Sequence, residues 1–274
     1  MDAPVAVEPI PRGSVGRLVG RRLRDWIPAL VVLVLMLVGW QLVVRGFHIK
    51  RFLLPAPTDI ARTFWDERST IWSAGWFTFQ EALGGFAMGS GAAILFALVA
   101  ARWERIGDAL LPYAIAANAV PIIAFAPITN AWFNPLTKTS KMAIAAVLCF
   151  FPVFVSVVRG LTSVKPQQLE LMRSYAAGEL TIFRRVRIPT ALPFLFTGLK
   201  VASVLAMIGA IVGDFFGGAL TSLGAQIEND ASQAQYERAW AEILVACILG
   251  IALYLAVAGV ERVATRWQPR EDSQ

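Results

Sequence analysis

Charge is scarce in this chain: 16% of its 274 residues are Asp, Glu, Lys or Arg, where a water-soluble domain carries about 25%. With 57% hydrophobic residues and a mean hydropathy of +0.59, the deficit points to lipid as the solvent over much of the length. Histidine is scarcer still. The single His48 stands beside Lys50 and Arg51 after an apolar stretch, where a lone imidazole reads as solvated, because a general base needs an orienting partner. One histidine also leaves little from which to build an acid–base pair, which argues against a membrane enzyme. Cys149 and Cys247 both fall inside apolar runs, so neither a disulfide framework nor a spaced-ligand metal site is expected. No Gly-x-x-x-x-Gly-Lys-Ser/Thr phosphate loop occurs, so the chain does not cradle ATP that way. No repeat of 20–50 residues is evident. The first sixteen residues lack an apolar core followed by a small-residue cleavage site, and the first apolar run reads as an anchor left in place.

Long uncharged runs fill the rest. A helical span needs about 20 mostly apolar residues, and six stretches qualify: 26–44, 77–101, 109–137, 142–158, 193–216 and 243–260. The third is interrupted by Pro112, Pro121, Pro127 and Pro135, and the fifth by Lys200 and Asp214. Arg12, Arg17, Arg21, Arg22 and Arg24 precede the first run, and Arg102 and Arg105 follow the second. Arg159, Lys165, Arg173, Arg184, Arg185 and Arg187 follow the fourth, and Arg262, Arg266 and Arg270 the last. Six spans put all four basic clusters on one side, which the positive-inside rule makes the cytoplasm; an odd count scatters them. The formal charge of +6 and pI of 9.7 therefore reflect orientation in a bilayer, and no nucleic-acid partner is expected. The expected fold is an all-α integral membrane protein of six transmembrane helices: a cytoplasmic tail at 1–25, one transmembrane domain at 26–264 and a cytoplasmic tail at 265–274. Outside, 53–70 reads as a short amphipathic helix with Thr58 or Asp59 as its cap.

Few polar groups lie at membrane depth. Asp214 is an ionisable group within or at the end of span five, and such groups face a cavity or a partner by default. Two readings stay open, a place on a translocation path or gate with Phe215 beside it, or an ion pair or helix-end contact near the outer surface. In span three Asn118 and Asn130 bracket Pro121, Phe125 and Pro127. The prolines free backbone carbonyls that only protein or a water-filled cavity can satisfy. Residues 118–130 thus read either as a wall of a pathway or as a packing kink. Glu81 with Gln80 reads as interfacial, Lys200 as snorkelling inward, and Gly84, Gly85, Gly89 and Gly91 as a close-packing face.

The segment 164–193 is too charged to span, yet it has helical texture. Pro166 suits a first helical turn. Leu169, Met172, Tyr175 and Ala176 recur at helical spacing, and Ala176-Ala177-Gly178 permits a close approach and then a break. A second short helix over 179–186 brings Ile182, Phe183 and Val186 to one side, and Pro189 and Pro193 mark the return into the bilayer.

This loop resembles the Glu-Ala-Ala motif of ABC-importer permeases, in which three residues separate that start from a glycine and the segment closes on an apolar-Pro pair. With Pro189 as the anchor, Glu170 takes the motif's acid, Leu171 and Met172 stand for its alanines, and Ala176 for its glycine. Gly178, two residues later, is left as the candidate for the turn. The likeness covers most of 50–265 and is similar to the six-span permeases for nitrate, sulfonate, taurine and thiamine precursors. It is carried by Leu54-Pro55-Ala56-Pro57, by 120–127, by Trp132-Phe133, Ser140-Lys141, Phe150-Phe151-Pro152, Arg159-Gly160-Leu161, Thr197-Gly198-Leu199 and Gly213-Asp214-Phe215.

What the resemblance implies is a multi-pass subunit of the bacterial inner membrane with both termini cytoplasmic. It implies a second copy of the chain, two ATPase subunits that bind ATP and magnesium, and an extracellular or periplasmic solute-binding protein. The loop 165–193 is then the ATPase-coupling element, through Glu170, Met172, Arg173, Tyr175, Ala176, Ala177, Gly178, Phe183 and Pro189. No catalysis, cofactor or metal is expected in the chain itself. A small organic solute such as a sulfonate or a vitamin or pyrimidine precursor is favoured, since the candidate wall carries no ring of arginines. The rival is an ion- or proton-coupled secondary transporter, which usually shows more spans, an inverted repeat and several intramembrane acids.

Overall fold

The computed structural model describes residues 15–102, 112, 115–116 and 121–267. Regular structure among the described residues is helical, and the chain divides into two compact units, Met1–Asp59 and Ile60–Gln274.

The first unit is dominated by α1, Val15–Gly46, which carries the first apolar run. Beyond it Gln41 Nε2 and Arg45 donate to Thr58 Oγ1 at 3.1 and 3.2 Å, and Arg51 pairs with Asp59 at 3.8 Å. The short helix α2, Pro57–Asp66, opens on proline, whose fixed φ suits a first helical position.

The second unit holds α3 (Arg68–Arg102), α4 (Ile122–Trp132), α5 (Lys138–Thr162), α6 (Pro166–Ser174) and α7 (Glu179–Ile182). A π-turn (Phe183–Arg187), α8 (Ile188–Phe215), α9 (Leu223–Ser232) and α10 (Tyr236–Ala264) complete it. Among the described residues five helical segments are long and apolar enough to cross a membrane: Ile27–Gly46, Arg68–Ala101, Lys138–Thr162, Glu179–Phe215 and Tyr236–Ala264. Of the expected span at 109–137, residues 109–111, 113–114 and 117–120 lie outside the described residues, and α4 is its described end.

The contacts fix the relative directions of the helices. Glycines of α3 meet α5 in rising order along both helices, Gly84 at Met142 and Gly89 at Ala146, so these helices run the same way. Along α8 the order reverses, Gly198 facing Ser156 and Gly213 facing Ile144, so α8 is antiparallel to α5. The start of α10 lies beside that of α3, where Arg238 meets Glu67 at 3.1 Å. Helix α5 is central because its buried side chains recur at helical spacing: Lys141, Ile144, Ala145, Cys149, Val153, Val157 and Leu161. Lipid tails are as apolar as these side chains, so close van der Waals packing rather than hydrophobic burial holds such helices together. A Cβ on Gly85 or Gly89 would collide with Ala145 or Ala146, which is why that face is built of small residues.

Glu81 is 1% exposed and lies about 20 Å along α3 from its start at Arg68, at 1.5 Å per residue. Lys200 pairs with Glu261 at 2.8 Å, tying α8 to α10.

Candidate functional site

Two groups of residues stand at opposite ends of the second unit. At one end α5 stops at Thr162 and the chain folds into α6, a turn, α7 and the π-turn before α8 departs. Pro166 occupies the first turn of α6, as its missing N–H favours. No residue of α6 is buried, and Tyr175 at its end is 76% exposed. Ile182 of α7, in contrast, is buried.

The turn after α6 falls on Ala176. Its φ is +54°, in the left-handed region, while the Ala176 N–H reaches Arg173 O at 2.9 Å and the Ala177 N–H reaches Met172 O at 3.1 Å. Those two bonds close a Schellman motif, which normally places glycine where Ala176 stands. Gly178, the sequence candidate for this turn, has an ordinary φ of −69° and caps α7 instead. The correction has a physical reason: the pair of terminal hydrogen bonds depends on position in the helix, and it holds an alanine in a conformation that costs an L-residue about 1–2 kcal/mol.

Ala176→Gly is therefore expected to stabilise the protein by about 0.5–1 kcal/mol, the relief of strain exceeding the added freedom of the unfolded chain. Gly178→Ala is expected to stay within about 1 kcal/mol of neutral, since a Cβ there meets nothing within 4 Å and fixing the unfolded chain offsets the poorer N-cap. Thermal unfolding of both variants in detergent checks this. Destabilisation by Gly178→Ala well beyond about 1 kcal/mol would place the obligate turn two residues later.

The opposite end holds a polar cluster drawn from four helices. Asp214, 1% exposed near the end of α8, accepts a hydrogen bond from Thr78 Oγ1 of α3 at 2.9 Å. The same hydroxyl accepts from the Leu223 N–H at the start of α9 at 2.8 Å. Lys141 of α5, 1% exposed, donates from Nζ to Pro135 O, and to Gly217 O at 3.2 Å. Asn130, at the end of α4, donates to Phe216 O at 2.8 Å and accepts from Ser140 Oγ. The loop 216–223 is thus fastened by side chains of α3, α4 and α5. Gly217 within it has φ +134°, a conformation that a side chain would strain. Beside the cluster Arg238 of α10 pairs with Asp230 at 3.0 Å, Glu67 at 3.1 Å and Glu242 at 3.7 Å.

Of the residues proposed for a path, Asn130 and Asp214 are brought together by this clasp, with both hydrogen-bonded into the protein. Pro121 and Pro127 are exposed, Phe125 meets Trp132 edge-on at 6.3 Å, and Phe215 is half-exposed. Asn118 lies outside the described residues. Sequence reading missed Thr78, Lys141, Asp230, Arg238 and Glu242. Only the Ser140-Lys141 pair had drawn notice, and apart from the Arg238–Glu242 pair within α10 their partners lie on other elements.

Comparison with known proteins concerns the chain as a whole. Residues 89–266 match the family model described as binding-protein-dependent transport system inner membrane component. The chain is 31% identical over 249 residues to the riboflavin transport system permease protein of Chloroflexus aurantiacus, covering 89% of this chain and 92% of the relative. It is 32% identical over 245 residues to the formylaminopyrimidine transport permease protein of Halalkalibacterium halodurans, covering 89% and 96%. To the putative aliphatic sulfonates transport permease protein of Bacillus subtilis it is 24% identical over 254 residues, covering 91% and 90%.

Proposed function

We propose, for a chain that belongs to the family of binding-protein-dependent transport system inner membrane components, that it is the membrane-spanning subunit of an ATP-driven importer of small solutes. In this reading the chain hydrolyses nothing. ATP and magnesium are held by two partner ATPase subunits, a second copy of the chain completes the membrane pathway, and a binding protein delivers solute at the outer face.

The observation that carries the reading is the exposed helix pair between α5 and α8. Helix α6 buries none of its own side chains, yet it is ended by the Schellman turn at Ala176 and followed by the buried Ile182. A stiff, uncovered helix on a fixed base suits insertion into a groove of a moving partner, and a packed contact of this kind transmits domain motion. Glu170, Arg173 and Tyr175 are exposed on or at the end of α6, and Met172, Ala177, Gly178, Phe183 and Pro189 complete the docking element.

Six spans fit the helix directions. Helices α3 and α5 run the same way, so an odd number of crossings separates them, and one crossing within 109–137 supplies it. The basic residues of 159–187 then lie on the cytoplasmic side with both termini. At the far end Asp214 acts with Asn130 as part of a closed outer clasp. Solute passes between two copies of the chain along α4, with Pro121, Phe125 and Pro127 as candidate path residues together with Phe215 and Asn118. The solute in this reading is a small organic molecule such as a sulfonate or a vitamin or pyrimidine precursor, since the candidate wall carries no ring of arginines.

Glu170→Lys and Tyr175→Asp, each in a complex purified with the ATPase, are expected to lose co-purification or to lower solute-stimulated ATP hydrolysis about tenfold or more. Variants that co-purify and hydrolyse normally would remove the loop from the contact.

A further inference from the structure

The helix that re-enters the bundle after α7 is not uniform. Between α7 and α8 lies the π-turn Phe183–Arg187, where the Ile188 N–H bonds to Phe183 O, five residues back instead of four. Proline follows at once. Pro189 has no N–H to give Arg185 O, and in an α-helix its ring would press on that carbonyl. Widening the preceding turn by one residue relieves the clash.

The widening has a geometric result. Ile182 and Ala191 flank the π-turn and are both buried, at 1% and 5% exposure. Ala191 packs where a Cβ on Gly160 of α5 would lie 2.9 Å from its Cα, and the π-turn also touches α5. In an unbroken α-helix residues nine apart are rotated by about 900°, which places them on opposite faces. Absorbing one residue in a π-turn removes about 100° and leaves them about 80° apart. Both can then face the bundle, and everything N-terminal of the π-turn, α6 included, is aimed accordingly.

We propose that Pro189 is a positioning residue: by enforcing the π-turn it sets the rotational register of the coupling helices on the fifth membrane helix. The inference rests on the importer reading for its functional consequence but not for its geometry. It makes the orientation of α6 a property of one proline and one extra residue rather than of contacts made by α6 itself.

The test uses the full-length chain in inverted membrane vesicles, with Cys149→Ala and Cys247→Ala as background and Ile182→Cys as reporter. Leu180→Cys, at a site 70% exposed, serves as the accessible control. A membrane-impermeant maleimide is expected to label the Ile182→Cys chain at least tenfold more slowly than the control. Adding Pro189→Ala lets the turn revert to α-geometry, swings residue 182 outward and raises its labelling about tenfold. Deleting Val186 together with Pro189→Ala removes the extra residue, restores the register and restores protection. Unchanged labelling in the Pro189→Ala chain overturns the proposal. So does a Val186-deleted chain that stays folded, with its control still labelled, and remains as reactive as Pro189→Ala alone.

In the complete transporter, ATP hydrolysis stimulated by the loaded binding protein is expected to fall at least tenfold with Pro189→Ala and to recover with the deletion. Normal hydrolysis in every variant, with labelling as expected, would overturn the coupling role while leaving the register assigned. The labelling needs no partner, so failure of the importer reading leaves that arm intact.

Discussion

Arg238→Ala should be among the most damaging single substitutions in the chain, lowering stability by about 3–5 kcal/mol. Asp230 and Glu242, 3% and 0% exposed, both face this guanidinium, and Glu67 approaches it from the start of α3. Removing the only cation in that group leaves two buried carboxylates uncompensated, and breaking a buried pair from one side carries that cost. A total stability of about 5–15 kcal/mol makes such a loss a large fraction. The measurement is the thermal midpoint in detergent, expected to fall by about 10 °C. Arg238→Ala combined with Glu242→Gln should recover part of the loss, because one of the stranded charges is gone. A single variant that melts like the parent would mean that these ion pairs are spectators.

Lys141→Met is the second. The methionine matches the lysine stem in bulk but withdraws the ammonium that donates to the Pro135 and Gly217 carbonyls. The expected cost is again about 3–5 kcal/mol, with the loop 216–223 loosened because one of its three side-chain ties is cut. Protease susceptibility of that loop should rise, and Lys141→Met with Asp214→Asn should be less damaged than Lys141→Met alone. If the double variant is no better, Lys141 supports the loop through its carbonyl contacts and not through charge balance.

These clusters also show where sequence reasoning stopped. Apolar runs located the helices because lipid demands unbroken apolar length, and Pro166, Gly178 and Pro189 bracketed the coupling segment because helix termini have a residue chemistry. Charge, however, served as a marker for the end of a span. That placed the last span at 243–260 and left Glu242 outside, whereas α10 runs from Tyr236 and carries Glu242 buried beneath Arg238. Arg238 stands one turn before Glu242 in the same helix and also reaches Asp230 and Glu67 on other elements, and no local pattern announces those last two partners. Ala176 was passed over for the same kind of reason. Composition points to glycine for a left-handed turn, while the turn is fixed by bonds to Met172 and Arg173. The π-turn has no composition of its own; it arises from Pro189 and from two buried neighbours that must share a side.

The central claim is that this chain moves solute only as part of an ATP-driven assembly, and reconstitution tests it most directly. The chain is placed in liposomes with its ATPase subunits, with the loaded binding protein outside and ATP with magnesium inside. Uptake is expected to require ATP and the binding protein, and to be indifferent to proton and sodium gradients. Solute accumulation by the chain alone, driven by either gradient without ATPase or nucleotide, would contradict the account.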